Sequence, residues 1–297
     1  MSFGLLADRN EVAAPGVVVT SNKPWSTTSP LSSIRALPLA DTAVSVGIGT
    51  EAAPTIIDIL FPDRIFLTYA GLIRTSFRQS ARYRCEAFAD AAGAQRLFTS
   101  TRADGRDRAV IPPLYNPAKL RWGAPELFRG DLPPSDFALF PTNVHVVIPL
   151  CRPRLLRWTI WGASYRPDGA DDTAYRIAYA WAGDSLQIMR HLPSPEGYAP
   201  GDQVVQTPGG ATWVEPGVGK RLVSIERQVM DLRLRDALFE NAMRVGYARP
   251  LIWLPNVDRP EENLRYGGLY RRREAHEHRY ISGYYTSTTA QLEEWTT

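Results

Sequence analysis

Proline punctuates this chain so often that long helices have little room. There are 24 prolines in 297 residues, and each one inside a helix removes a backbone donor and clashes with the preceding turn. Between them run short stretches in which apolar and polar residues alternate with period two, the pattern of a half-buried strand. Tyr83, Cys85 and Ala87 alternate with Arg82, Arg84 and Glu86; Val144, Val146 and Ile148 form another such set. Leu156, Trp158 and Ile160 are expected to face one way, and Tyr175, Ile177, Tyr179 and Trp181 give the cleanest alternation of all. Thirteen tyrosines and eight tryptophans supply the aromatic residues that suit a pleated surface. Strands of this length between proline-rich turns predict a sandwich or barrel.

One stretch departs from this period. Met230, Leu234, Ala237, Leu238, Asn241, Ala242 and Val245 recur near helical spacing. Asp231 with Arg235 and Glu240 with Arg244 are acid-before-base pairs four apart, and Gly246 supplies a stop. The fold expected is therefore mainly β, with two β-sandwich-like modules, the C-terminal one carrying a single packed α-helix. Three regions are expected: an N-terminal arm with first strands over 1–55, a sandwich over 56–190, either inserted or appended, and a C-terminal module over 191–297. The arm is poor in large apolar residues and must lie against something. The segment 190–220 is so rich in Gly and Pro that it is expected to be a long exposed loop, where contacts are often made.

Charge excludes little by sign and much by size. A net charge of +3 is too weak a field for a dedicated nucleic-acid binder, which needs a clustered basic stripe. The N-terminus MSFGLLADRNE lacks the basic start and long apolar core of a signal peptide, and no apolar run is long enough for a membrane span. A soluble protein made in the cytoplasm is the expectation. Cys85 and Cys151 fit no metal or CxxC spacing. Two free thiols in a reducing compartment are expected, with one Cys85–Cys151 bridge as the alternative.

Catalytic patterns fail one by one. Gly217-Val218-Gly219-Lys220 lacks the first glycine of a phosphate loop, since Val214 stands there, and Arg221 replaces the metal-binding hydroxyl. Gly209-Gly210 has no flanking strand and helix for a dinucleotide site. His276 and His278 would share a strand face, but a metal needs further ligands, and solvated strand histidines are the expectation. Asp171-Asp172, Glu261-Glu262 and Glu293-Glu294 are sequence neighbours, and neighbours on a strand point to opposite faces. No GxSxG elbow occurs. No enzyme activity, cofactor or metal is expected. Most tryptophans are expected in the core, and Trp213, in the Gly-rich segment, is the best candidate for an exposed contact.

The order of motifs carries one resemblance. The run ArgTyrArgCysGluAlaPheAlaAspAlaAlaGly (82–93) leads to Leu97-Phe98-Thr99-Ser100. Downstream come ArgTrpThrIle (157–160) and TyrArgIleAlaTyrAlaTrpAlaGlyAsp (175–184). The end brings ProLeuIleTrpLeuProAsn (250–256), Tyr266-Gly267-Gly268-Leu269-Tyr270 and GluGluTrp (293–295). This succession resembles minor tail proteins of long-tailed bacteriophages, with departures at Arg176 and Ala182 and nothing matching the 1–55 arm.

The resemblance implies a structural protein of the distal tail or baseplate, in a homo-oligomeric ring that joins the tail tube to the tail tip. Its partners would be the tail tube, the tail tip or hub and the tape measure, and its place the virion tail after assembly in the host cytoplasm. No specific nucleic-acid binding and no membrane insertion are implied, although DNA would pass nearby. Interface candidates are Trp213 with its loop, the N-terminal arm, and Arg271, Arg272 and Arg273, which alternate faces along a strand. The alternative is a carbohydrate-binding module in the 56–190 sandwich that contacts host glycan through Trp161 or Trp213. A glycan-degrading enzyme is disfavoured for want of an acid pair.

Overall fold

The structure, a computed structural model, describes residues 3–111, 142–166, 170–189, 196–200, 203–206, 212–215, 219–230, 232–274, 277–282 and 285–296. It is mainly β, and the strands pair antiparallel. The chain divides into two units. One comprises residues 9–185 with 259–265, and the other 1–8, 186–258 and 266–297.

The first unit is a β-sandwich. Its six-stranded sheet runs β2 (Val18–Ser21), β4 (Thr55–Leu60), β10 (Leu155–Trp161), β6 (Arg82–Phe88), β7 (Arg96–Thr99), with β8 (Arg108–Ala109) also paired to β6. Its four-stranded sheet runs β3 (Ala43–Val44), β13 (Arg176–Gly183), β5 (Leu67–Thr75), β9 (Thr142–Cys151). A two-stranded ribbon, β11 (Ser164–Tyr165) with β12 (Asp171–Asp172), lies apart from both sheets. Ile57, Ile59, Tyr83, Cys85, Leu156, Trp158 and Ile160 of the first sheet share one apolar core with Leu67, Leu72, Val144, Val146 and Ile148 of the second. The expected period-two sets on β6, β9 and β10 thus point inward, and at about 25 cal/mol per Å² of apolar area their burial dominates the unit's stability.

β13 differs from the alternating strand expected. Ala178, Ala180 and Ala182 are as buried as Ile177, Tyr179 and Trp181, so both faces are covered. The second covering comes from residues of the supposed arm, because the short helical turns Glu11–Ala13 and Leu31–Arg35 pack against β13. Val12 and Ile34 are fully buried there. The arm has no independent existence. Residues 9–55 add β2 and β3 to the two sheets, and the sandwich begins at residue 9 rather than 56. Scattered small strands laid on existing sheet edges need few large apolar residues, which is why this stretch looked coreless.

The second unit is a sheet with a helix on it. Eight strands take the order β14 (Leu186–Met189), β1 (Phe3–Ala7), β19 (Leu251–Leu254), β20 (Gly268–Arg272), β22 (Tyr285–Glu294), β18 (Lys220–Met230), β15 (Glu196–Ala199), with β21 (Glu277–Ser282) also on β22. Helix α1 (Leu232–Val245) buries Leu238 and Val245 among Val223, Ile225, Leu251, Trp253, Tyr270 and Leu292. Gly246 ends it at φ +54°, its N–H donating to the Ala242 carbonyl at 2.9 Å. Met230 belongs to β18, Arg235 pairs with Asp236 at 2.5 Å, and the expected partner Asp231 lies outside the described residues. The expected Glu240–Arg244 pair is present at 3.6 Å.

Some elements were not anticipated. A second helix, α2 (Pro260–Tyr266), lies almost wholly in the sandwich unit and contributes Leu264 to its core. The segment expected to be an irregular loop holds β15 and a hairpin of β16 (Gln203–Gln206) with β17 (Thr212–Glu215). The Gly and Pro content of the segment masks two short runs, Val204-Val205 and Thr212-Trp213-Val214, each of strand character.

The two units are threaded in a particular way. β1 and β14 are hydrogen-bonded neighbours, with Phe3 opposite Met189 and Leu6 opposite Leu186. The sandwich is inserted where a hairpin turn would otherwise stand.

Candidate interaction surfaces

The residues expected at an interface fall in different settings. Trp213 sits in β17 opposite Val205, not in an irregular loop, and its side chain lies outside the described residues. Arg271 is exposed on β20 and pairs with Glu293. Arg272 is only 5% exposed, and its guanidinium donates to the Asn241 side-chain oxygen at 2.5 Å beneath α1. Burial works against its charge, and the Asp8 carboxylate offsets part of that penalty. Arg273 is exposed again. The expected alternation of faces holds, and it makes Arg272 an internal residue of its unit, so the interface expectation passes to Arg271 and Arg273.

The adjacent carboxylates are dispersed among arginines. Asp171 meets Arg78 at 2.8 Å and Asp172 meets Arg176 at 3.1 Å. Glu293 faces Arg271, whereas Glu294 takes a bidentate contact from Arg221. Glu262 pairs with Arg259 at 3.2 Å. Among the described residues no group of three or more His, Cys, Asp or Glu could hold a metal. His276 lies outside the described residues, and His278 is placed on β21 by its backbone alone. Residues 209–210 and 217–218 also lie outside. Gly219 packs so tightly under the Tyr198 hydroxyl that a Cβ would come within 1.7 Å of it, and Lys220 opens β18.

Both cysteines are free thiols. Cys85 is buried, and desolvation pushes its thiol well above the usual range. Cys151 is half-buried and also raised. Between the paired strands β5 and β9, the Tyr69 hydroxyl reaches His145 Nδ1 at 2.6 Å across Gly71. A Cβ at Gly71 would lie 2.4 Å from that hydroxyl. This pair belongs to the packing of the sheet, since Tyr69 is fully buried.

The structure brings together a cluster that sequence reasoning missed. Three connections meet at one end of the sandwich: 61–66 between β4 and β5, 89–95 between β6 and β7, and 152–154 between β9 and β10. Their backbones are tied together. Phe61 N–H donates to Arg154 O at 2.9 Å, Ile65 N–H to Pro153 O at 3.1 Å, and Arg154 N–H to Phe88 O at 2.8 Å. Arg64 Nε donates to Ala89 O at 3.1 Å. On this frame Phe66 is 54% exposed and Leu150 is 67% exposed. The Arg152 guanidinium lies 4.7 Å from the Phe66 ring centroid. Between Ile65 and Leu67, Phe66 reads in sequence as one more strand residue, and only the neighbouring loop shows it to be outward.

No family model matches this chain. No curated protein matches it either. Among solved structures, it is similar to the lectin domain of lectinolysin complexed with Lewis B antigen, at 5% identity and a TM-score of 0.35, over 59% of this chain and 96% of that one. It is also similar to a CBM32 domain from a family 31 glycoside hydrolase of Clostridium perfringens, at 10% identity and a TM-score of 0.37, over 60% and 99%. A Ruminococcus gnavus GH29 fucosidase in complex with fucose is similar at 9% identity and a TM-score of 0.35, over 60% of this chain and 27% of that one.

Proposed function

We propose that this protein is a non-catalytic binding protein of a long-tailed phage's tail. The sheet-and-helix unit assembles, and the inserted sandwich contacts carbohydrate on the host surface. The observation that carries this reading is the insertion between β1 and β14. Because those strands still pair directly, the eight-stranded sheet keeps its continuity and the sandwich is left to a separate task. Function on a connection held by a rigid scaffold is the general pattern. The order of sequence motifs supports the tail, and the exposed Phe66 and Arg152 support a recognition role for the sandwich.

Assembly would use sheet edges, which are a liability alone and a device in a closed oligomer. Arg271 and Arg273, exposed on one side of β20 and its end, are candidates for that contact. Mass photometry with negative-stain imaging of the full chain tests assembly, and a glycan array tests the sandwich. A closed ring and saccharide binding are expected. A strict monomer at every concentration counts against the assembly half, and hydrolysis of host polysaccharide would overturn the non-catalytic reading.

A further inference from the structure

We infer that the three-loop end of the sandwich is a subsite for an acidic saccharide, with Phe66 as the stacking platform and Arg152 as the anion contact. This rests on the carbohydrate reading proposed above and gives it an address.

The chemistry follows from what is exposed. With the Arg152 guanidinium on its ring, Phe66 still leaves 54% of its surface to solvent. A sugar ring has an apolar C–H face that suits an aromatic surface, and a guanidinium held against that aromatic can fork onto a carboxylate. Stacking limits the rotamers open to Arg152, so less freedom is lost when a ligand arrives. Arg64 and Arg154 come from the same loops and are exposed. None of these three arginines is ion-paired to a described carboxylate. Of the nearby acids, Asp90 is occupied by the Ala94 and Gln95 N–H groups of its own turn, which lower its pKa, and Asp63 is exposed. Two guanidiniums beyond the stacked one therefore remain for an anionic ligand.

A small ligand suits this surface better than a protein. Its apolar part is Phe66 and Leu150, far short of the roughly 20–30 residues a side of a standard protein interface. The backbone ties between loops hold the platform as rigidly as a preorganised subsite requires.

The test uses the full chain on an array that pairs uronic-acid, sialic-acid and sulfated saccharides with neutral counterparts. The acidic members are expected to bind preferentially, and more weakly as salt rises. For the best acidic probe, Phe66→Ala and Arg152→Ala should each weaken binding by about tenfold or more, with melting temperatures unchanged. Arg152→Lys should fail to rescue, because an ammonium lacks the planar fork. Preference for neutral saccharides, or unchanged affinity in both variants, overturns the subsite while carbohydrate binding stands. Absence of binding to every saccharide overturns the subsite and the carbohydrate reading together. Binding only to an acidic protein, lost in the same variants, would also overturn it.

Discussion

Arg221 and Glu294 form a bidentate ion pair in the interior of the eight-stranded sheet, at 2.9 Å through Nε and 2.8 Å through Nη2. Both residues are buried, and the guanidinium also donates to Gly267 O at 3.2 Å and lies 5.8 Å from the Tyr270 ring centroid. Glu294→Gln leaves that cation without its counter-charge and should destabilise this unit by about 3–5 kcal/mol. Arg221→Met with Glu294→Leu should recover most of the loss, because the pair's own net contribution is small once desolvation is counted. Denaturant titration of the three proteins checks this.

Alkaline pH should unfold the sandwich in a defined window. Burial pushes Tyr83 and Tyr175 from 10.0 up to about 12. A raised acid pKa favours the neutral form in the folded state, so the stabilisation is complete below pH 10 and is lost as pH rises toward 12. For Tyr83 this is on the order of 2–3 kcal/mol. Tyrosinate absorbance should rise together with loss of tertiary structure, not before it. Tyr175→Phe should cost about 1–3 kcal/mol at neutral pH, since the hydroxyl donates to Gly162 O at 2.8 Å and accepts from Gly49 N–H at 3.0 Å.

Glycine is required at one turn and dispensable at another. Gly162 has φ +111°, and a Cβ there would come within 2.9 Å of the Ala81 Cα. Gly105 has φ +76° but open space around it. Gly162→Ala should therefore lower the melting temperature clearly more than Gly105→Ala, which incurs only the backbone strain of about 1 kcal/mol. Thermal melts of the two variants compare a clash with strain directly.

Thiol labelling should separate the two cysteines. Cys85 is fully buried with its thiol pushed well above the usual range by desolvation, while Cys151 is half-buried and its thiol is also raised. Iodoacetamide near neutral pH should modify Cys151 slowly and Cys85 only on unfolding. Equal rates in the native protein would contradict the burial of Cys85.

Much of the architecture was legible because burial leaves a period. Trp158 and Ile160, Val144 and Val146, and Tyr83 and Cys85 each declare an inward face in sequence alone. Helix α1 declares itself by spacing and by Gly246. β13 misled for a physical reason: a strand covered on both sides can place alanine where a half-buried strand needs a polar residue. Helix α2 carries a start signal, with Pro260 at its first position and Glu261 and Glu262 following. The unit boundaries were illegible locally, because what defines them is the pairing of Phe3 with Met189 and of Leu5 with Leu254. Phe66 was hidden for a related reason, since its partner Arg152 stands far along the chain.

The insertion also sets a schedule. β1 leaves the ribosome well before its partners β14 and β19, which begin at Leu186 and Leu251. Phe3–Ala7 must therefore wait, unpaired, while nearly the entire sandwich is synthesised. Closing so long a loop costs little more than closing a short one, because the entropy grows only logarithmically. The delay is kinetic, and it exposes an apolar strand edge during translation. A chain truncated before Leu186 should thus leave Phe3–Ala7 with neither of its strand partners and be aggregation-prone.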